Sequence, residues 1–93
     1  MELNCLIVDD EPLALDLMES YVKRTPFLKL VARCSNALVV LQVLREEAVD
    51  LIFLDIQMPE LNGLELSRVL DKQIKVIFTT AFEQYALEGF RVD

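Results

Sequence analysis

Acidic residues stand directly after two apolar runs of this sequence. Asp9 and Asp10 close the first run, and Asp55 closes the third. If these runs are neighbouring strands, the carboxylates meet, repel one another and need a counter-charge, which a hard divalent cation supplies. Oxygen ligands in a sequence without His favour Mg²⁺ over zinc. The residues therefore predict a magnesium site where a carboxylate can act as a nucleophile in phosphoryl transfer.

Each residue also has an ordinary structural interpretation. Asp10 and Glu11 before Pro12 are typical of a helix start, with an acidic cap and Pro in the first turn. An Asp at a strand end, such as Asp55, is more often a turn residue, and Thr80 alone is an ordinary β-branched strand end. The joint placement of these residues at strand ends favours the chemical interpretation.

Four short apolar runs predict the strands. They are Leu3 to Val8, Leu28 to Cys34, Leu51 to Leu54 and Val76 to Phe78. The first, third and fourth runs are nearly continuous, as in parallel strands that are buried on both faces. The second contains Lys29 and Arg33, which suits a strand nearer an edge of the sheet.

Amphipathic segments between the runs predict helices. The apolar stripes expected to face the sheet are Ala14, Leu17, Met18, Tyr21 and Val22; Ala37, Val40, Leu41 and Leu44; and, after Asn62-Gly63, Leu66, Val69 and Leu70. A fourth helix is predicted to begin near Glu83. This alternation of strands and helices predicts right-handed crossovers and an open, doubly wound α/β sheet. Ligands of such sheets bind beyond the carboxyl ends of the strands.

Composition excludes several classes of function. The 93 residues fit one domain, and the absence of His removes His-based general-base catalysis and His-ligated zinc. The net charge of −7 disfavours binding of nucleic acid or of anionic membranes by this segment. No apolar run reaches the about 18 residues of a membrane span, and the acidic start lacks the basic flank of a signal peptide. We expect a cytoplasmic protein in which Cys5 and Cys34 are buried thiols.

Three segments resemble the receiver domains of two-component response regulators. The segment from Cys5 to Glu11 resembles the first strand and acidic cluster of that family. The segment from Asp50 to Pro59, followed by Asn62-Gly63, is similar to the phosphoacceptor strand and loop, and the segment from Val76 to Ala81 resembles the fourth strand. The three segments have the right order and spacing over nearly the whole chain.

The resemblance implies a flavodoxin-like receiver fold with strand order 2-1-3-4. It implies that Asp55 is phosphorylated by a sensor histidine kinase, and that the Thr80 hydroxyl and the Ala81 backbone N–H bond the phosphoryl oxygens. The implied ligands of Mg²⁺ are Asp10, Asp55, the backbone carbonyl of Gln57 and, through water, Asp9. The domain is then a signalling module with weak autodephosphorylation rather than an enzyme.

The C-terminal part of the sequence departs from the family pattern. The segment from Phe82 to Phe90 looks most like regulators with a LytTR-type DNA-binding output domain. Receivers normally continue into a fifth strand, which carries a Lys, and then into a fifth helix. Lys72 and Lys75 precede strand four and therefore cannot replace that Lys. We therefore expect one receiver domain over residues 1–93, incomplete at its C-terminus, which contacts DNA only through a missing output domain. We also expect self-association, by edge pairing of strand four or by segment exchange.

Two alternative functions remain. A haloacid-dehalogenase-like phosphatase also uses a strand-end Asp and Mg²⁺, but it needs a second acid where this sequence has Gln57. A pseudo-receiver keeps the fold and signals by partner contact alone. The set of Asp9, Asp10, Asp55 and Thr80 argues against it for the parent protein, whereas the missing fifth strand keeps it open for this fragment.

Overall fold

The computed structural model describes residues 1–79. The elements, in chain order, are β1 (Leu3–Val8), α1 (Pro12–Lys23), β2 (Leu28–Cys34), α2 (Ala37–Glu46), β3 (Leu51–Leu54), α3 (Gly63–Val69) and β4 (Lys75–Phe78). The predictions that concern Thr80, Ala81, the helix near Glu83 and the segment from Phe82 to Phe90 lie outside the described residues. None of the helices within residues 1–79 is long and apolar enough to cross a membrane.

The strands form one parallel sheet in the order β2-β1-β3-β4. The last residue of β1, Val8, is in register with Cys34 of β2 and with Leu54 of β3, and Leu54 is in register with Phe78 of β4. The carboxyl ends of all strands are therefore level. The predicted fold class and strand order are confirmed, and so are the bounds of the first three strands.

The alternating side chains of β1 divide the core into two layers. Leu6 and Val8 pack with α2, α3 and Cys34 on one face of the sheet, whereas Cys5 and Ile7 pack with α1 on the other. All five side chains are at most 1% exposed. The two cysteines therefore belong to different layers, and both are buried free thiols, as predicted.

The sheet-facing side of α1 differs from the prediction. Leu15 and Val22 are buried and Met18 packs against the same cluster, so the helix uses an i, i+3, i+7 set. Leu17 and Tyr21 are 53% and 50% exposed, although the predicted stripe included both. The reason is that apolar residues cover more than one face of this helix, so that periodicity alone does not select the packed side.

Three other apolar residues are more exposed than predicted. Leu41 on α2, Val69 in the last turn of α3 and Ile77 on β4 are 36%, 64% and 48% exposed. Val69 is the last residue of a helix of seven residues, and the chain becomes extended at Leu70. Ile77 belongs to neither core cluster, whereas Val76 and Phe78 pack against the larger one. Strand β4 is thus not buried on both faces within residues 1–79.

Candidate functional site

The level carboxyl ends of β1 and β3 place acidic residues side by side. Asp9 follows Val8 and donates its backbone N–H to the carbonyl of Cys34 at 3.1 Å, and Asp55 donates its N–H to the carbonyl of Val8 at 3.0 Å. Backbone pairing between strands thus continues one residue beyond the strands. These hydrogen bonds fix the positions of Asp9 and Asp55 at the carboxyl ends of β1 and β3.

The structure brings the three predicted carboxylates together. One carboxylate oxygen each of Asp9, Asp10 and Asp55 lies within 4.8 Å of the others. Asp55 is 9% exposed, Asp9 is half-buried and Asp10 is exposed, so the cluster opens to solvent on the side of Asp10. The cluster is therefore reachable from outside, while its innermost carboxylate is enclosed.

Short loops hold two of these carboxylates. Asp9 Oδ1 accepts the backbone N–H of Glu11 at 2.9 Å, and Asp55 Oδ1 accepts the N–H of Gln57 at 3.3 Å. Pro12 begins α1 as predicted, but the N-cap residue Glu11 makes no side-chain cap bond. The acidic cap of the ordinary structural interpretation is therefore not formed by Glu11, and the Asp9 carboxylate orders this turn instead.

The negative charges of the clustered carboxylates favour the binding of a cation. Burial, and then the charge of Asp9, raise the pKa of Asp55 to about 6. Burial also raises the pKa of Asp9, and the neighbouring charge of Asp10 adds to this, while the bond from Glu11 opposes it. The ion pairs among residues 1–79 involve other residues of α1 and β2 and do not reach the cluster. Because its donors are all carboxylate oxygens, the cluster fits a hard divalent cation such as Mg²⁺.

The β3–α3 loop is packed under Asp55. Ile56 and Met58 are buried, and the carbonyl of Ile56 accepts the N–H of Gly63 at 2.8 Å. Asn62 and Glu65 form a capping box at the start of α3, with bonds of 2.9 and 3.1 Å. The Asn-x-x-Glu spacing is a sequence signal for this cap that the prediction overlooked. No sequence signal gives the distance from Gly63 to the Asp55 backbone.

The roles of Gln57, Thr80 and Ala81 stay predictions. Gln57 is exposed, and its backbone carbonyl is not shown to hold a ligand. Thr79 donates its N–H to the carbonyl of Leu54 at 3.0 Å, which carries the β3–β4 pairing to the end of the described chain. Thr80 and Ala81 come next and lie outside the described residues.

Fold and site together define a doubly wound α/β domain with an acidic cluster at the carboxyl ends of its central strands. The sequence profile of the response regulator receiver domain matches residues 5–93. The chain therefore belongs to the response regulator receiver domain family, the receiver module of two-component systems.

Two curated proteins are similar to the chain over most of its length. It is 39% identical over 90 residues to a response regulatory protein of Shewanella oneidensis. It is 38% identical over 90 residues to the transcriptional regulatory protein BtsR of Escherichia coli strain K12. Each alignment covers 95% of this chain and 38% of the relative. The chain thus spans well under half the length of the curated relatives that it matches.

A solved structure supports the same family. The crystal structure of the response regulatory domain of protein mrkE from Klebsiella pneumoniae superposes with a TM-score of 0.85 at 30% sequence identity. The superposition covers 97% of this chain and 76% of that one. The fold described above is therefore that of a solved receiver domain.

Proposed function

We propose that Asp55 accepts a phosphoryl group from a sensor histidine kinase in the presence of Mg²⁺, and that the aspartyl phosphate controls an output domain of the whole protein. The observation that carries this proposal is the meeting of Asp55 with Asp9 and Asp10, with oxygens within 4.8 Å, at the level ends of β1 and β3. A buried carboxylate beside two others has the environment of a nucleophile that works next to a cation.

The proposed reaction moves one phosphoryl group. A carboxylate oxygen of Asp55 attacks phosphorus, the new O–P bond forms, and the bond between phosphorus and the donor imidazole nitrogen breaks. Asp55 must be ionised to attack, and its pKa of about 6 leaves it mostly ionised at neutral pH. Asp10, Asp55 and the carbonyl of Gln57 would hold the metal directly, and Asp9 would hold it through water. When bound, the metal offsets charge on the phosphoryl oxygens.

The rest of the proposed mechanism concerns the response to phosphorylation. The Thr80 hydroxyl and the Ala81 N–H would bond the phosphoryl oxygens. The added charge then shifts an existing equilibrium between two conformations. The domain is proposed as a signalling module of the cytoplasm rather than an enzyme.

We infer a DNA-binding output domain of LytTR type for the whole protein. Two observations support this inference. BtsR, which shares 38% identity with the chain, is called a transcriptional regulatory protein, and the segment from Phe82 to Phe90 resembles LytTR-type regulators. The test compares reporter transcription by the whole protein with that by its Asp55→Asn variant. We expect transcription to depend on Asp55. Transcription that is indifferent to Asp55→Asn contradicts it.

The experiment for the phosphoacceptor role uses acetyl phosphate as a small donor. The chain is incubated with acetyl phosphate and Mg²⁺, and its intact mass is measured. We expect uptake of one phosphoryl group that Asp55→Asn abolishes. Asp50→Asn is the matched control, because Asp50 precedes β3 at the opposite end of the same strand and its carboxylate accepts the Asn4 N–H at 2.8 Å. This control should retain uptake.

The same experiment separates the alternative functions. Continuous release of inorganic phosphate from the donor favours a phosphatase. A folded protein that binds its partner but takes up no phosphoryl group is a pseudo-receiver. Uptake that survives in Asp55→Asn means that another residue is the acceptor.

A further inference from the structure

Gly63, the first residue of α3, lies against the backbone of the candidate phosphoacceptor. A Cβ atom added at Gly63 would be closest to the carbonyl oxygen of Asp55, and it would lie 2.7 Å from Ile56 Cα and 2.9 Å from the Asp55 carbonyl carbon. All of these are backbone atoms, which cannot rotate away as the end of a flexible side chain can. Any side chain at this position must therefore displace either the start of α3 or the peptide that joins Asp55 to Ile56.

The need for glycine here is one of space rather than of backbone conformation. Gly63 is helical and has no positive φ. In such a conformation alanine is the better helix former, since glycine loses more conformational entropy. Helix propensity alone thus predicts that Gly63→Ala strengthens α3. Only the contact with Asp55 and Ile56 predicts the opposite.

Further contacts fix α3 against this peptide. The Gly63 N–H donates to the carbonyl of Ile56 at 2.8 Å, and the capping box of Asn62 and Glu65 orders the first turn. Glu60, in the same loop, has a φ of 66°, a left-handed conformation that is unfavourable for a residue other than glycine. The surrounding contacts therefore hold the loop in a shape that it would not adopt alone.

We propose that Gly63 is a positioning residue for Asp55. By letting α3 approach the Asp55–Ile56 peptide, it sets the direction of the Asp55 carboxylate toward the metal and the phosphoryl donor. The N–H of Gln57, which bonds Asp55 Oδ1 at 3.3 Å, lies in the same short loop, so a shift of the peptide moves both partners of that bond. This inference rests on the proposed phosphoacceptor role of Asp55.

The test compares Gly63→Ala with Val40→Ala as a control for general loss of stability. Val40 is fully buried in the larger core cluster, but it belongs to α2 and not to the loop. The folded fraction of each variant is measured by circular dichroism. The maximal rate of phosphorylation by saturating acetyl phosphate with Mg²⁺ is then expressed per folded molecule.

We expect Gly63→Ala to lower this maximal rate by about tenfold or more, because a displacement on the order of 1 Å at a reacting group has a large kinetic cost. The concentration of acetyl phosphate at half-saturation should change little. Val40→Ala should retain the rate of the unchanged protein per folded molecule. An unchanged rate in Gly63→Ala, or an equal loss in Val40→Ala, overturns the proposal. If the unchanged protein takes up no phosphoryl group, the proposed function fails first and this inference fails with it.

If Gly63→Ala does not fold, the capping box supplies the same test. Asn62→Ala removes the oxygen that accepts the Glu65 N–H at 2.9 Å, whereas Asn62→Asp retains an acceptor. We expect a lower maximal rate per folded molecule in Asn62→Ala and its recovery in Asn62→Asp. Equal rates in Asn62→Ala and the unchanged protein overturn the proposal.

Discussion

At the scale of single residues, Asp55 combines burial with the charge of a neighbouring carboxylate. Its pKa is about 6 in the folded protein and near the ordinary value of 3.8 in the unfolded chain. Above pH 6 the residue is ionised in both states, and the folded state carries the cost of a buried charge. As the pH falls from 6 toward 3.8, the folded state takes up a proton first and this cost is relieved. The metal-free protein therefore gains stability from Asp55 on mild acidification.

The first prediction is that Asp55→Asn stabilises the metal-free protein at pH 7.5 by about 1–3 kcal/mol, since the gap in pKa sets the upper end of this range. At pH 4 most of this gain should be lost, because the Asp55 carboxyl is then largely neutral in the folded state and no longer carries the cost of a buried charge. Urea unfolding with a chelator at both pH values measures it. A variant that is equally stable or less stable than the unchanged protein at pH 7.5 contradicts the pKa argument.

The second prediction concerns Asp10, which lies at the open side of the cluster. Mg²⁺ at ten times its dissociation constant should raise the free energy of unfolding by about 1.4 kcal/mol, because it binds only the folded state. Asp10→Asn should remove most of this gain, and Glu11→Gln, next along the chain, should retain it. Thermal unfolding with Mg²⁺ or with a chelator makes the comparison. Equal gains in the two variants would place the metal elsewhere.

Sequence alone could predict which acidic residues meet but not how they are supported. Asp9, Asp10 and Asp55 each follow a continuous apolar run, and the level ends of parallel strands bring such positions together. The contact of Gly63 with the Asp55 backbone depends instead on the path of a loop and on ångström-scale packing. Hydrophobic periodicity carries no information about either.

At the scale of elements, α1 shows that the apolar pattern of a helix does not always determine which side packs against the sheet. Its apolar residues occupy more than one face, and the sheet selects Leu15, Met18 and Val22. The continuous apolar runs predicted β1 and β3 correctly. A strand that is buried on both faces packs with both sides, so that no packed side has to be chosen. A helix with two apolar faces leaves that choice to the tertiary contacts.

The third prediction tests the packed side of α1. Leu15→Ala, at a position that is 6% exposed, should lower the free energy of unfolding by about 2–4 kcal/mol, because it leaves a cavity against β1. Leu17→Ala, two residues along the same helix and 53% exposed, should change it by less than about 0.5 kcal/mol. Denaturant unfolding of both variants measures the difference. Similar losses in the two variants, or a larger loss in Leu17→Ala, would contradict packing of the helix through Leu15.

At the scale of the whole molecule, one edge of the sheet formed by residues 1–79 carries an exposed apolar side chain. Within residues 1–79, β4 is the last strand of the sheet on its side, and its Ile77 is 48% exposed. An edge strand with free backbone groups and an apolar side chain is a template for pairing with another chain. Charged residues on such a strand suppress that pairing, and Lys75 is the charge that β4 already carries.

The fourth prediction is that the 93-residue chain self-associates through β4. Its mean mass in light scattering should rise with concentration, and Ile77→Lys should reduce this rise, because a second charge on the edge opposes strand pairing. Leu17→Lys is the matched control, since Leu17 is also about half exposed but lies on α1, away from the edge. It should leave the association unchanged. A stable monomer at high concentration contradicts the prediction, whereas an equal effect of both variants would assign the association to general surface hydrophobicity. If only Ile77→Lys reduces the rise in mean mass, the contact between the chains lies at β4.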